Sequence, residues 1–213
     1  MKESESLPIM QASDSVEAAK ESEDAERIER VRAEYRKEWL PDSDGVPRRK
    51  AARIVLISPK SEIYLIKGKD YGDSSQTWWF TPGGGINASE DSRAGAVREL
   101  FEETGYQAQE ADLIGPVLYR ESEFHFAADT LRQDEDYFLL HLNLDQYQSF
   151  LQLEATQLTE VEQEVLLGNS WFTLLELEAI EKAGEVVYPQ GLAGFFAQWM
   201  NGWDGEKKFL RDY

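Results

Sequence analysis

Two neighbouring segments of the chain are dominated by hydrophobic and β-branched residues. They are ARIVLIS, residues 52–58, and EIYLIKG, residues 62–68, and the polar residues SPKS separate them. β-Branched and aromatic residues favour strands, and two such runs joined by a short turn are typical of a hairpin. The segments LIGPVLYRESEFHF, residues 113–126, and DYFLLHLNL, residues 136–144, have the same character. The pattern predicts strands in all four segments.

Elsewhere the spacing of the hydrophobic residues is helical. From Ser22 to Leu40 they recur at intervals of three or four, which predicts an amphipathic helix with one buried stripe. The residues of that stripe are Ile28, Val31, Tyr35 and Trp39. Other helices are predicted over residues 159–167, after the capping pair Thr173 and Glu176, and from Pro189 onward.

A further helix is predicted over residues 87–104. Asn87 and Glu90 have the spacing of a capping box at its start, and Gly105 is placed as the stop. The glutamates of this helix are expected elsewhere on its circumference than the buried face. The buried face is expected to consist of Ala94, Val97, Leu100, Phe101 and Thr104.

These elements, in this order, predict an α/β (α+β) fold in which a mixed β-sheet is sandwiched between α-helices. The 213 residues suffice for one domain with an appendage. Residues 1–21 are polar, rich in Ser and Glu, and are expected to be disordered. Residues 22–48 are expected to form the amphipathic helix and a linker, and residues 49–213 the domain with its C-terminal helix.

The charge limits the partners that are expected. With 22 Lys+Arg against 41 Asp+Glu the formal net charge is −19, which disfavours binding to nucleic acid. It also disfavours polyanionic substrates unless metal ions supply positive charge. The absence of Cys excludes disulfides and Cys-ligated zinc. No apolar run is long enough to span a membrane and no signal peptide begins at Met1, so we expect no membrane association and a cytoplasmic location.

One stretch of the predicted helix 87–104 crowds three carboxylates together. In RELFEETG, Glu99, Glu102 and Glu103 are spaced i, i+3 and i+4, so their side chains lie on one face. A glutamate triplet on a helix is usually a solvated face. The alternative is a site for a hard cation such as Mg²⁺ or Mn²⁺, which prefers oxygen ligands and would offset the repulsion.

The surrounding residues resemble the Nudix box, the motif of the Nudix hydrolase family. The segment is GGINASEDSRAGAVRELFEETGY, from Gly84 to Tyr106. Gly84 is followed after five residues by Glu90, and after seven more by Arg98, Glu99 and Leu100. The one departure is Tyr106, where the family usually has an aliphatic residue, and this affects packing and not chemistry.

The resemblance implies a Nudix-type fold and a role for each residue of the box. The implied metal ligands are the backbone carbonyl at Gly83 and the side chains of Glu99, Glu102 and Glu103, with Mg²⁺ or Mn²⁺ as the cofactor. Arg98 is expected to steer Glu99. The residues expected to be structural are Gly84, Glu90 and Gly105.

Two kinds of residue outside the box are also candidates. Trp78 and Trp79 could stack on the base of a substrate, although aromatic residues in such positions more often belong to the core. A fourth carboxylate is expected to act as general base or extra ligand. Glu135 is the first candidate, and Glu160 and Glu162 are the alternatives.

The resemblance implies metal-dependent hydrolysis of a nucleoside diphosphate linked to another moiety, X, by attack of water on phosphorus. Two alternatives stay open: a house-cleaning pyrophosphatase acting on nucleoside triphosphates, and a non-catalytic Nudix-fold protein that binds or regulates. The expected partner is a small nucleotide-type diphosphate, and the expected assembly is a homodimer.

Overall fold

A computed structural model of the chain describes the backbone of residues 10–153 and 157–213, and their side chains from Ser22 onward except at positions 35 and 36. The strands in these ranges are β1 Leu40–Pro41, β2 Pro47–Ile57, β3 Glu62–Lys69, β4 Thr77–Phe80, β5 Gly83–Gly85, β6 Ile114–His125, β7 Thr130–His141, β8 Leu166–Thr173, β9 Val186–Tyr188 and β10 Lys208–Asp212. The α-helices are α1 Met10–Glu38, α2 Ser92–Thr104, α3 Leu144–Phe150, α4 Glu160–Val165, α5 Leu174–Lys182 and α6 Leu192–Trp199.

The strands form one mixed sheet in the order β10–β6–β7–β2–β3–β4–β9, with β1 and β5 attached to β2 and β8 to β3. The central strand β2 runs parallel to β7 along ten paired positions, from Arg48↔Arg132 to Ile57↔His141. It also pairs antiparallel with β5, where Ala52 lies opposite Gly84. This second pairing attaches the glycine loop to the sheet and places it against α2.

Successive residues of β2 are buried on opposite faces of the sheet. Ile54 and Leu56 pack in a core cluster with residues of α2 and α3, whereas Val55 and Ile57 pack in a second cluster with residues of α5 and α6. Because helices cover both faces, this strand is hydrophobic without alternation. The predicted fold, a mixed sheet sandwiched between helices, is confirmed.

The N-terminal helix is longer than the sequence predicts. It begins at Met10 and not at Ser22, so the predicted disorder of residues 1–21 is wrong for residues 10–21, and residues 1–9 lie outside the described residues. Glu, Ala, Gln and Lys in this stretch favour a helix without any apolar stripe. Of the predicted stripe, Val31 and Trp39 are buried and Ile28 is partly buried, while the side chain of Tyr35 lies outside the description.

Other boundaries also differ from the prediction. The helix predicted from residue 87 begins at Ser92, because Asp91 caps it, and the helix predicted from Pro189 begins at Leu192. The strand predicted over 136–144 ends at His141, where Asn143 and Gln146 form a capping box for α3. Among the helices of the described ranges, none is both long and apolar enough to cross a membrane.

Candidate active site

Local capping fixes α2 in place at both ends. The Asp91 carboxylate accepts hydrogen bonds from the backbone N–H groups of Arg93 and Ala94, at 2.9 and 3.0 Å. At the other end Gly105 has a φ of 74°, a left-handed conformation that glycine adopts without strain. These caps hold the helix in one register, so its side chains meet the glycine strand β5 in fixed positions.

Two of the three glutamates are buried, although the hydrophobic pattern places them outside the apolar face of the helix. Glu99 and Glu103 are 7% and 8% exposed, and they pack against the backbone of β5. A Cβ atom at Gly84 would lie 2.6 Å from the carboxyl carbon of Glu99, so only glycine permits this approach. The N–H of Gly83 donates to Oε2 of Glu103 at 2.8 Å. The glycines of β5 therefore allow the two carboxylates to pack directly against the strand backbone.

Burial changes the acidity of both groups. Burial raises the pKa of Glu99 to about 7, although Arg98 and Arg49 partly oppose this effect. Burial, and then repulsion from Glu99, raises the pKa of Glu103 well above its usual range. The fold therefore holds two carboxyl groups where their ionised forms are disfavoured. A cation bound beside them would favour the ionised forms.

Arg98 connects the carboxylates to the loop. Its Nη1 donates to Oε1 of Glu99 at 2.9 Å and to Oε2 of Glu102 at 2.8 Å. Its Nη2 donates to the carbonyl of Gly85 at 2.6 Å and to Oε1 of Glu90 at 2.7 Å. Glu90 is thus a partner of Arg98, and it also accepts from the backbone N–H of Asn87 at 2.8 Å in the turn before the helix.

The oxygen atoms around Glu99 and Glu103 suit a hard cation, but other protein groups occupy several of them. Within the described residues, no group of three or more acidic or histidine side chains is positioned to hold a metal ion. Arg98 engages Glu99 and Glu102, and the Gly83 carbonyl accepts from Nη1 of Arg53 at 3.1 Å. Carboxylate and carbonyl oxygens are nevertheless the donors that Mg²⁺ and Mn²⁺ prefer. The donor set fits such an ion.

Glu135 does not lie on the carboxylate face. It is fully buried in β7 and its oxygens accept hydrogen bonds from four side chains: those of Arg53, Arg120, Gln133 and Tyr137. Burial alone would raise its pKa, but the two arginines outweigh burial and hold the pKa at about 2. An anion so stabilised is a poor proton acceptor, so this position disfavours Glu135 as the general base.

Glu162 and Glu160 are the alternatives to Glu135 as the fourth carboxylate. Glu162 lies near the glutamate face formed by Glu99, Glu102 and Glu103, and Glu160 does not. Glu162 lines the cleft beside Glu103, and repulsion between them contributes to the raised pKa of Glu103. Its Oε2 accepts from the N–H and hydroxyl of Thr159, at 2.8 and 2.9 Å, in a capping box. Glu160 is exposed on α4.

Two adjoining cavities meet at this place. A cleft of about 230 Å³ contains the three glutamates, and an aromatic pocket of about 490 Å³ lies next to it. They share the lining residues Arg49, Arg53, Trp78, Phe80 and Phe126. A molecule that extends through both cavities would place one part among aromatic rings and another against carboxylates.

Trp78 and Trp79 point in opposite directions. Trp78 lines both cavities, whereas the indole N–H of Trp79 donates to Glu185 at 2.8 Å and its ring packs edge-on against Phe172. Neighbouring strand residues face opposite sides of a sheet, so only one of the pair can reach the pocket. The structure brings Trp78 to the site and leaves Trp79 outside the cavity.

Several residues that line the cavities were not singled out from the sequence as site residues. They are Glu34, Glu38, Trp39, Arg49, Arg53 and Arg120. The amphipathic pattern did indicate that Trp39 is buried, but only the packing of α1 shows which surface it meets. The arginines carry no local motif, so the sequence contained no signal for them.

Comparison with known proteins identifies the family. Residues 47–190 match the family described as the NUDIX domain. Over 90 residues the chain is 34% identical to an RNA pyrophosphohydrolase of Sphingopyxis alaskensis, covering 42% of this chain and 54% of that protein. Over 74 residues it is 32% identical to diphosphoinositol polyphosphate phosphohydrolase 3-beta of Bos taurus, covering 35% and 43%.

The chain thus spans about half the length of the curated relatives it matches. Among solved structures, the dihydroneopterin triphosphate pyrophosphohydrolase of E. coli superposes with a TM-score of 0.50 at 15% identity. That superposition covers 77% of this chain and 97% of the other. At this identity the similarity concerns the fold alone.

Proposed function

Because this chain belongs to the Nudix hydrolase family, we propose that it hydrolyses a nucleoside diphosphate linked to another moiety, X, with Mg²⁺ or Mn²⁺ as cofactor. The observation that carries the proposal is the burial of Glu99 and Glu103 side by side against the glycine strand, in a cleft that adjoins an aromatic pocket. Buried carboxyl groups with raised pKa values are uncommon unless they serve a function.

The charge around the cleft supports a metal site. Six carboxylates line it, those of Glu34, Glu38, Glu99, Glu102, Glu103 and Glu162, against four basic side chains, those of Arg49, Arg53, Lys69 and Arg98. When Glu99 and Glu103 are ionised, the carboxylates outnumber the basic side chains, and an anionic substrate would be repelled by this excess of negative charge. A divalent cation held by Glu99, Glu102 and Glu103 would cancel this excess, polarise a phosphoryl group and lower the pKa of bound water.

The chain's own residues would prepare the site for this ion. Arg98 holds Glu99 and Glu102 in place through Nη1, and the N–H of Gly83 holds Glu103. We assign the general base to Glu162 and not to Glu135, because Glu162 lines the cleft and only its Oε2 is used in the capping box. Glu135 is assigned to the buried ion network that supports Arg53.

The aromatic pocket supports a nucleotide-type substrate. Its volume of about 490 Å³ lies in the range of small-molecule sites, and its rings include Trp78, Phe124, Phe126 and Tyr188. Flat rings of this kind can stack on a base, and the pocket opens onto the cleft that would hold the diphosphate. A nucleoside triphosphate would fit the same arrangement, so triphosphate hydrolysis remains the second candidate.

The test is a substrate panel with Mg²⁺, Mn²⁺ or EDTA, scored by the products released. The panel contains sugar-linked nucleoside diphosphates, nucleoside triphosphates, RNA with a 5′-triphosphate, and a diphosphoinositol phosphate, the last two because of the activities named for the relatives. We expect metal-dependent release of a nucleoside monophosphate from a diphosphate-X compound. Binding without turnover of any compound would contradict the proposal and favour a non-catalytic ligand-binding protein.

A further inference from the structure

The C-terminal end of α1 forms part of the wall of both cavities, although it lies before the residues that match the family. Glu34 and Glu38 line the carboxylate cleft, and Trp39, the next residue after α1, lines the aromatic pocket. Trp39 is 6% exposed and is therefore part of the packed structure. The family match begins only at residue 47.

Side chains along α1 fix it over the site. Val31 is fully buried in a cluster with Tyr71 and Val161. Arg27 pairs with Glu164 of α4 at 2.6 Å. On the other side Arg32 pairs with Asp129, in the loop between β6 and β7, at 2.7 Å. The helix therefore bridges two separate parts of the domain, and its last turn has a defined position at the cavity boundary.

That last turn holds Arg49 from two directions. The Nη1 atom of Arg49 donates to Oε2 of Glu38 at 2.6 Å, and its guanidinium lies 4.3 Å from the ring centroid of Trp39. From β7, Gln133 accepts a hydrogen bond from Nε at 2.7 Å. A Cβ atom at Gly85 would lie 2.9 Å from Nη1, so the guanidinium also packs against the glycine strand.

Arg49 is more exposed than the other two arginines at the pocket, Arg53 and Arg120, and its carboxylate partner is more exposed than theirs. Arg120 uses all three guanidinium nitrogens on Glu135 and Asp212, and Arg53 is fixed by Glu135 and two backbone carbonyls. Among the residues that the structure describes, none accepts a hydrogen bond from Nη2 of Arg49 or from Nη2 of Arg53, so what distinguishes Arg49 is the weaker hold on its other nitrogens. Its partner Glu38 is exposed over 59% of its side chain, and such pairs exchange partners readily.

We propose that Arg49 binds the diphosphate group of the substrate, and that Trp39, outside the matched family domain, positions the guanidinium for it. Arg49 lies at the boundary of the cavities, where the diphosphate of a molecule that fills both would be. A planar guanidinium suits phosphate oxygens and also stacks on an aromatic face. Glu38 is then a competing anion that the diphosphate displaces. This inference rests on the proposed function and names a binding residue for it.

The experiment measures calorimetric binding of ADP in the presence of Mg²⁺, which needs no turnover. Arg49→Gln should weaken binding about tenfold or more, the loss expected for a charge-assisted hydrogen bond. Trp39→Leu should weaken it less, and Trp39→Phe should restore it because the aromatic face is kept. On a hydrolysed substrate, Arg49→Gln should raise KM with little change in kcat.

Two controls separate anion binding from a structural role. Lys50→Gln removes the same charge from the adjacent, exposed residue, which lines neither cavity, and should leave ADP binding unchanged. Glu38→Gln should leave binding as tight or tighten it, because a competing carboxylate is removed. If Glu38→Gln weakened binding as much as Arg49→Gln, the pair would only anchor α1 and the inference would be overturned.

Failure of the inference differs from failure of the proposed function. If the parent protein binds ADP and Arg49→Gln does not weaken binding, Arg49 is not the anion site, whatever the enzyme hydrolyses. An absence of ADP binding by the parent would also overturn it. If the parent binds ADP through Arg49 but hydrolyses nothing in the panel, the proposed activity fails and the inference stands.

Discussion

The backbone N–H of Gly83 donates a hydrogen bond of 2.8 Å to Oε2 of Glu103, a buried contact between residues 20 positions apart. The strand that carries the glycines and the helix that carries the glutamates are thereby joined at one carboxylate. Glu103 lies against both this N–H and Glu99, and after burial it is repulsion from Glu99 that raises its pKa. The first predictions concern the glutamate face.

Replacing Glu102 or Glu103 by Gln should lower kcat by orders of magnitude on any substrate that the parent hydrolyses. Each tenfold loss corresponds to about 1.4 kcal/mol of activation free energy. Without metal, Glu103→Gln should melt no lower than the parent, because the amide oxygen still accepts from Gly83 and a buried acid is removed. Added Mg²⁺ should raise the melting temperature of the parent more than that of either variant. Glu110→Gln, exposed beyond the helix, is the control and should change neither property.

Gly84→Ala should disturb the site through a single methyl group. Its Cβ would lie 2.6 Å from the carboxyl carbon of Glu99, so the carboxylate must move away from the strand. We expect a loss of the Mg²⁺-induced rise in melting temperature and of turnover. Gly194→Ala is the matched control, since a Cβ there meets no atom within 4 Å and alanine favours the helix. Equal metal responses in the two variants would contradict the assigned role of Gly84.

Glu162→Gln tests the general base. Gln can take the place of Glu in a capping box, so the end of α4 and the melting temperature should be kept. Loss of a general base typically reduces kcat by about 10²- to 10⁴-fold. Glu160→Gln, two residues earlier and exposed, should leave kcat at the parental value. If Glu162→Gln kept the parental kcat, Glu162 would not be the general base.

Glu135→Gln should destabilise the fold in a pH-dependent way. Removing one member of a buried ion network leaves Arg53 and Arg120 without their shared carboxylate, which costs about 3–5 kcal/mol near neutral pH. The folded pKa of Glu135, about 2, is lower than its unfolded value of 4.5, so its contribution is complete above pH 4.5 and is lost as the pH falls toward 2. Urea unfolding of parent and variant between pH 7 and pH 2.5 should therefore show a difference that shrinks with acid. A constant difference would contradict the ionised state of Glu135.

Truncation tests the docking of α1. Deleting residues 1–21 should leave metal-dependent activity and melting temperature nearly unchanged, because the contacts to the domain described above begin at Arg27. Deleting residues 1–40 removes the buried Val31 and Trp39 and should lower the melting temperature by several degrees. Equal melting temperatures for the two truncations would show that the helix is not docked.

The sequence predicts those parts of the fold that depend on local pattern. The hairpin over residues 52–68 and the helix after Thr173 follow from residue type and capping alone. The start of α2 was missed because Asp91 competes with Asn87 as a cap, and only the surrounding contacts decide between them. The burial of Glu99 was missed because hydrophobicity predicts an exposed glutamate, whereas the adjacent glycine strand covers it. Glu38, Trp39 and Arg49 meet through tertiary packing, for which the sequence has no local signal.

The ion network around Glu135 also constrains the timing of folding. Arg120, 1% exposed in β6, shares its guanidinium between Glu135 and Asp212, and Asp212 follows it by 92 residues. At about 5–20 residues per second, the ribosome needs roughly 5 to 20 s after adding Arg120 to reach Asp212. During synthesis the edge of the sheet therefore carries an arginine with half of its acceptors missing. We expect β6 to reach its final burial only after β10 has left the ribosome, however early the central strands assemble.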